Sequence, residues 1–260
     1  MIRYCKTGVS LPYGRHTGAG LRADLNLALL RKEFFVVYQP IVDVASNRVV
    51  SHEALVRWRH PVKGVVMPTE FIGVAEHSEL ICGITDAVLD HVFLMLSTRQ
   101  NMSSDFPVSV NISPTCFSYG QVVDVIRGKA KIYNVAPRNI VLEITETAPV
   151  DASGRISSQL EELREMGVGI VMDDFGVGFS KIENILKLPF SGIKIDSSLI
   201  NKIPDDDRYC ALISGVIEIA RKLDLSVVAE GVENNRQLAW VRKYPGVLAQ
   251  GWLLGVPCEF

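Results

Sequence analysis

The chain has 260 residues, with 27 Lys and Arg against 29 Asp and Glu, for a formal net charge of −2. Hydrophobic residues make up 48% and charged residues 22%, the composition of a globular chain with a sizeable core. This balance excludes bulk attraction to duplex nucleic acid or an anionic membrane, so a polyanionic ligand needs a local cation. The five cysteines are scattered without a C-x-x-C pair, which fits reduced thiols and argues against a disulfide or zinc framework. No uninterrupted apolar run reaches the length of a membrane span, and the first twenty residues lack the apolar core of a signal peptide. The expectation is a cytoplasmic chain without membrane insertion.

Residues 1–20 read as an irregular lead-in arm and residues 21–260 as one barrel domain. Residues 21–33, "LRADLNLALLRKE", have helical spacing. Short β-branched runs then alternate with amphipathic segments: "FFVVYQ", "RVVSHEALV", "PVSVNIS", "IVLEIT", "GIVMDD", "SGIKID", "SVVAEG" and "VLAQG". Helix candidates such as "ITDAVLDHVFLMLS" and "CALISGVIEIARKL" lie between most of them. Only "PIVDVASN" joins the first two strands, too short for a crossover helix, so this pair is expected to be antiparallel. The predicted fold class is α/β, a modified (β/α)8 TIM-type barrel with one antiparallel strand.

Polar residues punctuate the strand ends: Glu53, Asn111, Glu143, Asp173, Asp174, Lys194, Glu230 and Gln250. In a barrel those ends converge on one rim, where such folds place their chemistry. Five clustered carboxylates require shared protons or cations, because like charges raise one another's pKa. Acids with an asparagine carbonyl and without Cys or His form an all-oxygen shell suited to Mg²⁺ or Mn²⁺. Two such ions can stabilise an in-line displacement at phosphorus. Lys194, the lone cation, would orient water or neutralise a phosphate oxygen. Singly, each residue has a plainer reading. Asn111 could cap the next helix, and Lys194 could pair with Asp196 on the surface. His52, His60, His77 and His91 read as structural.

Taken in order, "YQPIVD", "HEALVRW", "GVVMPTEFIGVAE", "VNIS", "LEITET", "MDDFGVGFS", "IKIDSSLI", "AEGVEN" and "QGWLLGVP" resemble the EAL domain, a cyclic di-GMP phosphodiesterase family. The resemblance implies hydrolysis of cyclic di-GMP to linear pGpG with two Mg²⁺ or Mn²⁺ ions. It implies that Glu53, Asn111, Glu143 and Asp173 hold the first ion, and that Asp173, Asp174 and Glu230 hold the second. Lys194, Glu230 and Glu53 are implied as catalytic, and Arg57, Gln39 and Gln250 as substrate-binding or supporting residues. Glu146 is implied to anchor the loop after the paired aspartates, and a homodimer is implied through the surface near that loop. The family usually reads "DDFGTGYSS" where this chain has Val177, Phe179 and Lys181. Valine removes a hydroxyl and restricts the backbone, so the loop and its coupling are the places where this chain departs. The competing expectation is a catalytically weak or inactive receptor that binds cyclic di-GMP or a protein partner.

Overall fold

A computed structural model describes residues 18–99, 106–119, 122–145, 154–176 and 182–260. The elements follow in the order α1 (Gly18–Leu30), β1 (Phe34–Asp43), β2 (Arg48–His60), β3 (Gly64–Val66), α2 (Pro68–Ala75) and α3 (Leu80–Thr98). Then come β4 (Val108–Asn111), α4 (Pro114–Ser118), α5 (Val122–Tyr133), β5 (Ile140–Thr145), α6 (Arg155–Glu165) and β6 (Gly169–Phe175). The chain continues through α7 (Ile182–Lys187), β7 (Gly192–Ile195), α8 (Ser197–Ile200), α9 (Asp207–Lys222), β8 (Ser226–Ala229), α10 (Asn235–Val241) and β9 (Val247–Ala249).

Eight strands close a barrel in the order β1-β9-β8-β7-β6-β5-β4-β2, with β2 returning to β1. Strand β1 runs antiparallel to both neighbours and the other barrel pairs are parallel, as the short first connection requires. Strand β3 is an addition that sequence patterning does not reveal. Its three residues extend the far end of β2 as a small hairpin, too short to carry a periodic signal.

The seam at β1 is shared. β9 pairs with β1 only at Val42 and Asp43, and farther along Tyr38 and Cys258 exchange backbone hydrogen bonds of 2.8 and 3.1 Å. The C-terminal tail therefore completes a closure that a three-residue β9 cannot span. Phe260 anchors that tail against the Tyr38 and His52 rings and under the Arg99 guanidinium. His52 is buried and points away from the carboxylates. Burial, and then Arg99, hold its imidazole down at about 4, which makes it a neutral packing group.

Strands β4 to β9 are short, apolar and buried because helices cover the outside of the barrel while side chains fill its interior. One apolar cluster gathers α1 to α6 around β1, β2, β4 and β5, and the other gathers α7 to α10 around β6 to β9. Helix α3 is long and apolar enough to cross a bilayer, but its Ile84, Leu89, Val92 and Phe93 face is buried inside the domain.

Gly251 shows how closely this end of the barrel is packed. A Cβ there would stand 2.2 Å from the Val232 carbonyl oxygen and 2.3 Å from its nitrogen, both rigid backbone atoms. Gly251→Ala is expected to cost about 3 kcal/mol or more, read as a lowered midpoint in urea unfolding.

Candidate active site

The local sequence places the polar residues by interrupting strands and capping helices. Ser113, not Asn111, caps α4 by accepting from Thr115 N, and Asp196 caps α8 by accepting from Ser198 N. The plainer readings of Asn111 as a cap and of Lys194 as a surface partner of Asp196 are thereby excluded. Lys194 is 1% exposed, at the centre of the barrel mouth.

Four carboxylates surround its ammonium. Lys194 Nζ lies 2.7 Å from Glu230, 2.8 Å from Glu143, 3.3 Å from Glu53 and 3.4 Å from Asp173. Glu53 also accepts from Asn111 Nδ2 at 2.8 Å and from Gln250 Nε2 at 2.6 Å. Gln250 donates as well to Gln39 Oε1 at 3.0 Å, and Gln39 donates to the Gly255 carbonyl at 3.1 Å. Gln39 and Glu53 face each other across the β1–β2 ladder, in mid-strand rather than at a strand end. The strand-end rule therefore does not describe these two. β2 is thirteen residues long and runs past the rim, so its functional position lies well inside it.

The paired aspartates reach the same rim through a bulge. In the β6–β7 ladder Met172 faces Ile193 and Phe175 faces Ile195, so Asp173 and Asp174 together oppose Lys194 alone. Asp174 takes the left-handed backbone conformation, with φ +57°, which aspartate tolerates better than most residues. This bulge, rather than the glycines that follow, turns both carboxylates one way. Gly176, at φ +104°, then turns the chain where a Cβ would meet Leu199 at 2.4 Å.

One oxygen each from Asp173, Asp174 and Glu230 lie within 4.8 Å of one another. Asp173 Oδ1 is buried and meets the Lys194 ammonium only at a long 3.4 Å, without a well-formed hydrogen bond. Electrostatics agree, because one ammonium cannot neutralise five acids. Burial, reinforced by Glu53 and Asp173, pushes Glu143 well up despite Lys194. Burial likewise raises Glu230 to about 7, with Lys194 opposing and Asp173 adding to the rise. Glu53 goes the other way: burial pushes it up, but Lys194, Gln250 and Asn111 more than offset that. Lys194 would be lowered by its burial, yet Glu143 and the other acids drive it well above its ordinary value. The donor set and its unmet negative charge fit hard divalent cations.

These shifts have a measurable sign. Glu230 binds its proton more tightly folded than unfolded, so its contribution is fully present below about pH 4.5 and is lost as pH rises through 7. In EDTA the loss is expected to approach about 3 kcal/mol. Saturating Mn²⁺ should raise the melting temperature more at pH 8 than at pH 5, because metal and protons compete for the same oxygens. An equal increase at both pH values would contradict this account.

A cavity of about 470 Å³ opens beside the cluster, lined in part by Asn111, Glu143, Asp173 and Asp174. Its other walls include Pro68, Thr69, Ile72 and Glu76 from the start and body of α2. Sequence reasoning gave those residues no role, although "MPTEFIGVAE" marks them as a distinct motif. Arg57 stands apart from this lining. Its Nη1 donates to the Val56 carbonyl at 2.8 Å. Glu146, Val177, Phe179 and Lys181 lie outside the described residues.

Comparison with known proteins agrees with this geometry. The profile of the EAL domain matches residues 22–257. The bifunctional diguanylate cyclase/cyclic di-GMP phosphodiesterase MucR of Pseudomonas aeruginosa is 35% identical over 256 residues, 98% of this chain and 37% of MucR. The cyclic di-GMP phosphodiesterase RocR of the same organism is 32% identical over 239 residues, 90% of this chain and 60% of RocR. Among solved structures, the PaMucR phosphodiesterase in complex with c-di-GMP superposes with a TM-score of 0.85 at 34% identity. That match covers 92% of this chain and 97% of the solved one. The chain thus spans 37% and 60% of the length of these curated relatives. Fold, motif order and an almost full-length match lead to one assignment: this chain belongs to the EAL domain family.

Proposed function

We propose that this chain hydrolyses one phosphodiester of cyclic di-GMP to linear pGpG, using two Mg²⁺ or Mn²⁺ ions. The observation that carries the reading is the surplus of buried carboxylate around the single Lys194 ammonium, beside a cavity of about 470 Å³. MucR and RocR, matched along almost the whole of this chain, are named for phosphodiesterase activity on cyclic di-GMP. Glu53, Asn111, Glu143 and Asp173 would hold one ion, and Asp173, Asp174 and Glu230 the other. Bound there, the ions supply water activation and neutralise charge on the phosphate.

The rest of the work falls to the chain's own side chains. Lys194 holds Glu53, Glu143, Asp173 and Glu230 in one constellation and presents its N–H groups to the oxygen that attacks phosphorus. Gln39 and Gln250 fix the Glu53 carboxylate, so its geometry is set before substrate arrives. Arg57 would turn from the Val56 carbonyl to clamp a phosphate with its guanidinium. Residues of α2 and α3 in the cavity wall would flank a bound ligand and limit the water around it. A cytoplasmic homodimer, with Glu146 anchoring the loop after the aspartates, belongs to the same reading.

The test is conversion of cyclic di-GMP by purified protein, followed by anion-exchange chromatography. Product is expected with Mg²⁺ or Mn²⁺ and none in EDTA. Binding of the dinucleotide without turnover under any divalent cation would identify a receptor instead.

A further inference from the structure

Two side-chain amides join the segment after β9 to Glu53, and their direction is set at the far end. The Gly255 carbonyl can only accept, so Gln39 turns its Nε2 toward it, at 3.1 Å. Gln39 Oε1 then faces the other way and accepts from Gln250 Nε2 at 3.0 Å. The same Gln250 nitrogen donates to Glu53 Oε2 at 2.6 Å. Reversing the Gln39 amide would set two NH2 groups against each other. Turning Gln250 to relieve that clash would aim its oxygen at the Glu53 carboxylate. Gln250 Oε1 is buried and accepts no hydrogen bond, so this amide is held by its donors alone.

The Gly255 carbonyl is itself held by the tail. Gly255 lies flat on β1, where a Cβ would stand 2.3 Å from Pro40 Cγ. Three residues on, Cys258 and Tyr38 exchange their two backbone hydrogen bonds. Phe260 completes the grip, its ring centroid 4.7 Å from that of Tyr38 and 4.9 Å from that of His52. The Arg99 guanidinium stands 3.9 Å from the same centroid, with the Phe106 ring at 6.5 Å. Tyr38 and His52 immediately precede Gln39 and Glu53, and strand alternation puts each pair on opposite faces. Phe260 therefore clamps, on one face, the neighbours of the two residues that meet Gln250 on the other. The Arg59–Glu259 ion pair, exposed on both sides, adds little to this hold.

We propose that Phe260 is a positioning residue: by seating the tail on β1 it fixes the Gly255 carbonyl, and with it the direction of the Gln39–Gln250 pair that holds Glu53. With the tail unseated, the pair can reverse and Glu53 loses the Gln250 donor. Phe260 is not among the residues lining the cavity, so the loss falls on kcat rather than KM. This catalytic consequence rests on the phosphodiesterase reading, whereas the direction of the amides does not.

The full chain carrying Phe260→Ala is labelled with ¹⁵N-glutamine, and its side-chain amides are followed by NMR alongside turnover. The Phe260 ring is 51% exposed, so the variant is expected to fold. The NH2 signals of Gln39 and Gln250 should shift or broaden, while that of Gln237, in the cap of α10, stays in place. kcat should fall about tenfold with KM little changed. Phe260→Tyr, which keeps the ring, should restore both the signals and kcat, and Glu259→Ala should match the wild type. Phe260→Leu, which keeps apolar bulk without the ring, supplies the same comparison if alanine unfolds the chain. Unchanged Gln39 and Gln250 signals, a raised KM with kcat unchanged, or a Phe260→Tyr protein as impaired as Phe260→Ala overturns the proposal. Absence of turnover in the wild type counts against the phosphodiesterase reading alone, and the amide signals then decide whether Phe260 sets the pair.

Discussion

Lys194→Met should unfold about 10 °C below the wild type in EDTA at neutral pH, the largest stability effect expected of any single substitution in the site. The side chain is 1% exposed, and its ammonium is the shared partner of Glu53, Glu143, Asp173 and Glu230. Methionine fills most of the volume but leaves those carboxylates buried together without a cation. Removing one partner of a buried ion pair costs about 3–5 kcal/mol, and the remaining acids lower the cost only by taking up protons. The variant should therefore regain stability as pH falls toward 5. It should also regain stability with Mn²⁺, because a ligand at a hundred times its Kd contributes about 2.7 kcal/mol. Turnover should not return with it, since the N–H groups aimed at the attacking oxygen are gone; a deficit of about 10²–10³-fold is expected. Differential scanning fluorimetry and a product assay on one preparation separate the two effects. A variant as stable as wild type in EDTA would show that the carboxylates do not depend on Lys194.

Glu53→Ala should show the opposite balance, with activity lost and fold kept. Glu53 touches Lys194, Asn111 and Gln250, so it joins the ammonium, the Asn111 amide and the Gln39–Gln250 support at one carboxylate. Its loss removes one of several crowded negative charges, and Lys194 keeps three acidic partners. The two hydrogen bonds lost, from Asn111 and Gln250, cost about 1–3 kcal/mol, partly offset by that relief and by the bond Gln250 keeps to Gln39. Turnover should fall by about 10²–10³-fold, mainly in kcat, with the melting temperature shifted by only a few degrees. A variant with near-normal kcat would remove Glu53 from the site, and one that fails to fold would make it a structural residue first.

Much of this site is legible in the sequence because apolar strands make their polar interruptions conspicuous. Asn111, Glu143, Asp173, Lys194 and Glu230 each lie within two residues of the carboxyl end of an apolar strand. The short link after β1 leaves room only for an antiparallel pair. Other features depend on geometry that no local pattern encodes. The bulge at Asp173 and Asp174 is a property of the β6–β7 ladder, which no run of neighbouring residues announces. Glu53 and Gln39 sit in mid-strand because β1 and β2 outrun the barrel, which a count from the strand end misses. The tail that closes the seam at Tyr38 arises only when distant segments meet.

The most direct measurement is a turnover of cyclic di-GMP in ¹⁸O-labelled water, with and without EDTA, read by mass spectrometry of the product. The carboxylate cluster, loaded with Mg²⁺ or Mn²⁺, should yield pGpG carrying one heavy oxygen in its terminal phosphate, and the EDTA sample should yield none. Label in the 3′-hydroxyl, turnover undiminished by EDTA, or tight binding without any product would contradict a metal-dependent attack of water on phosphorus at this site.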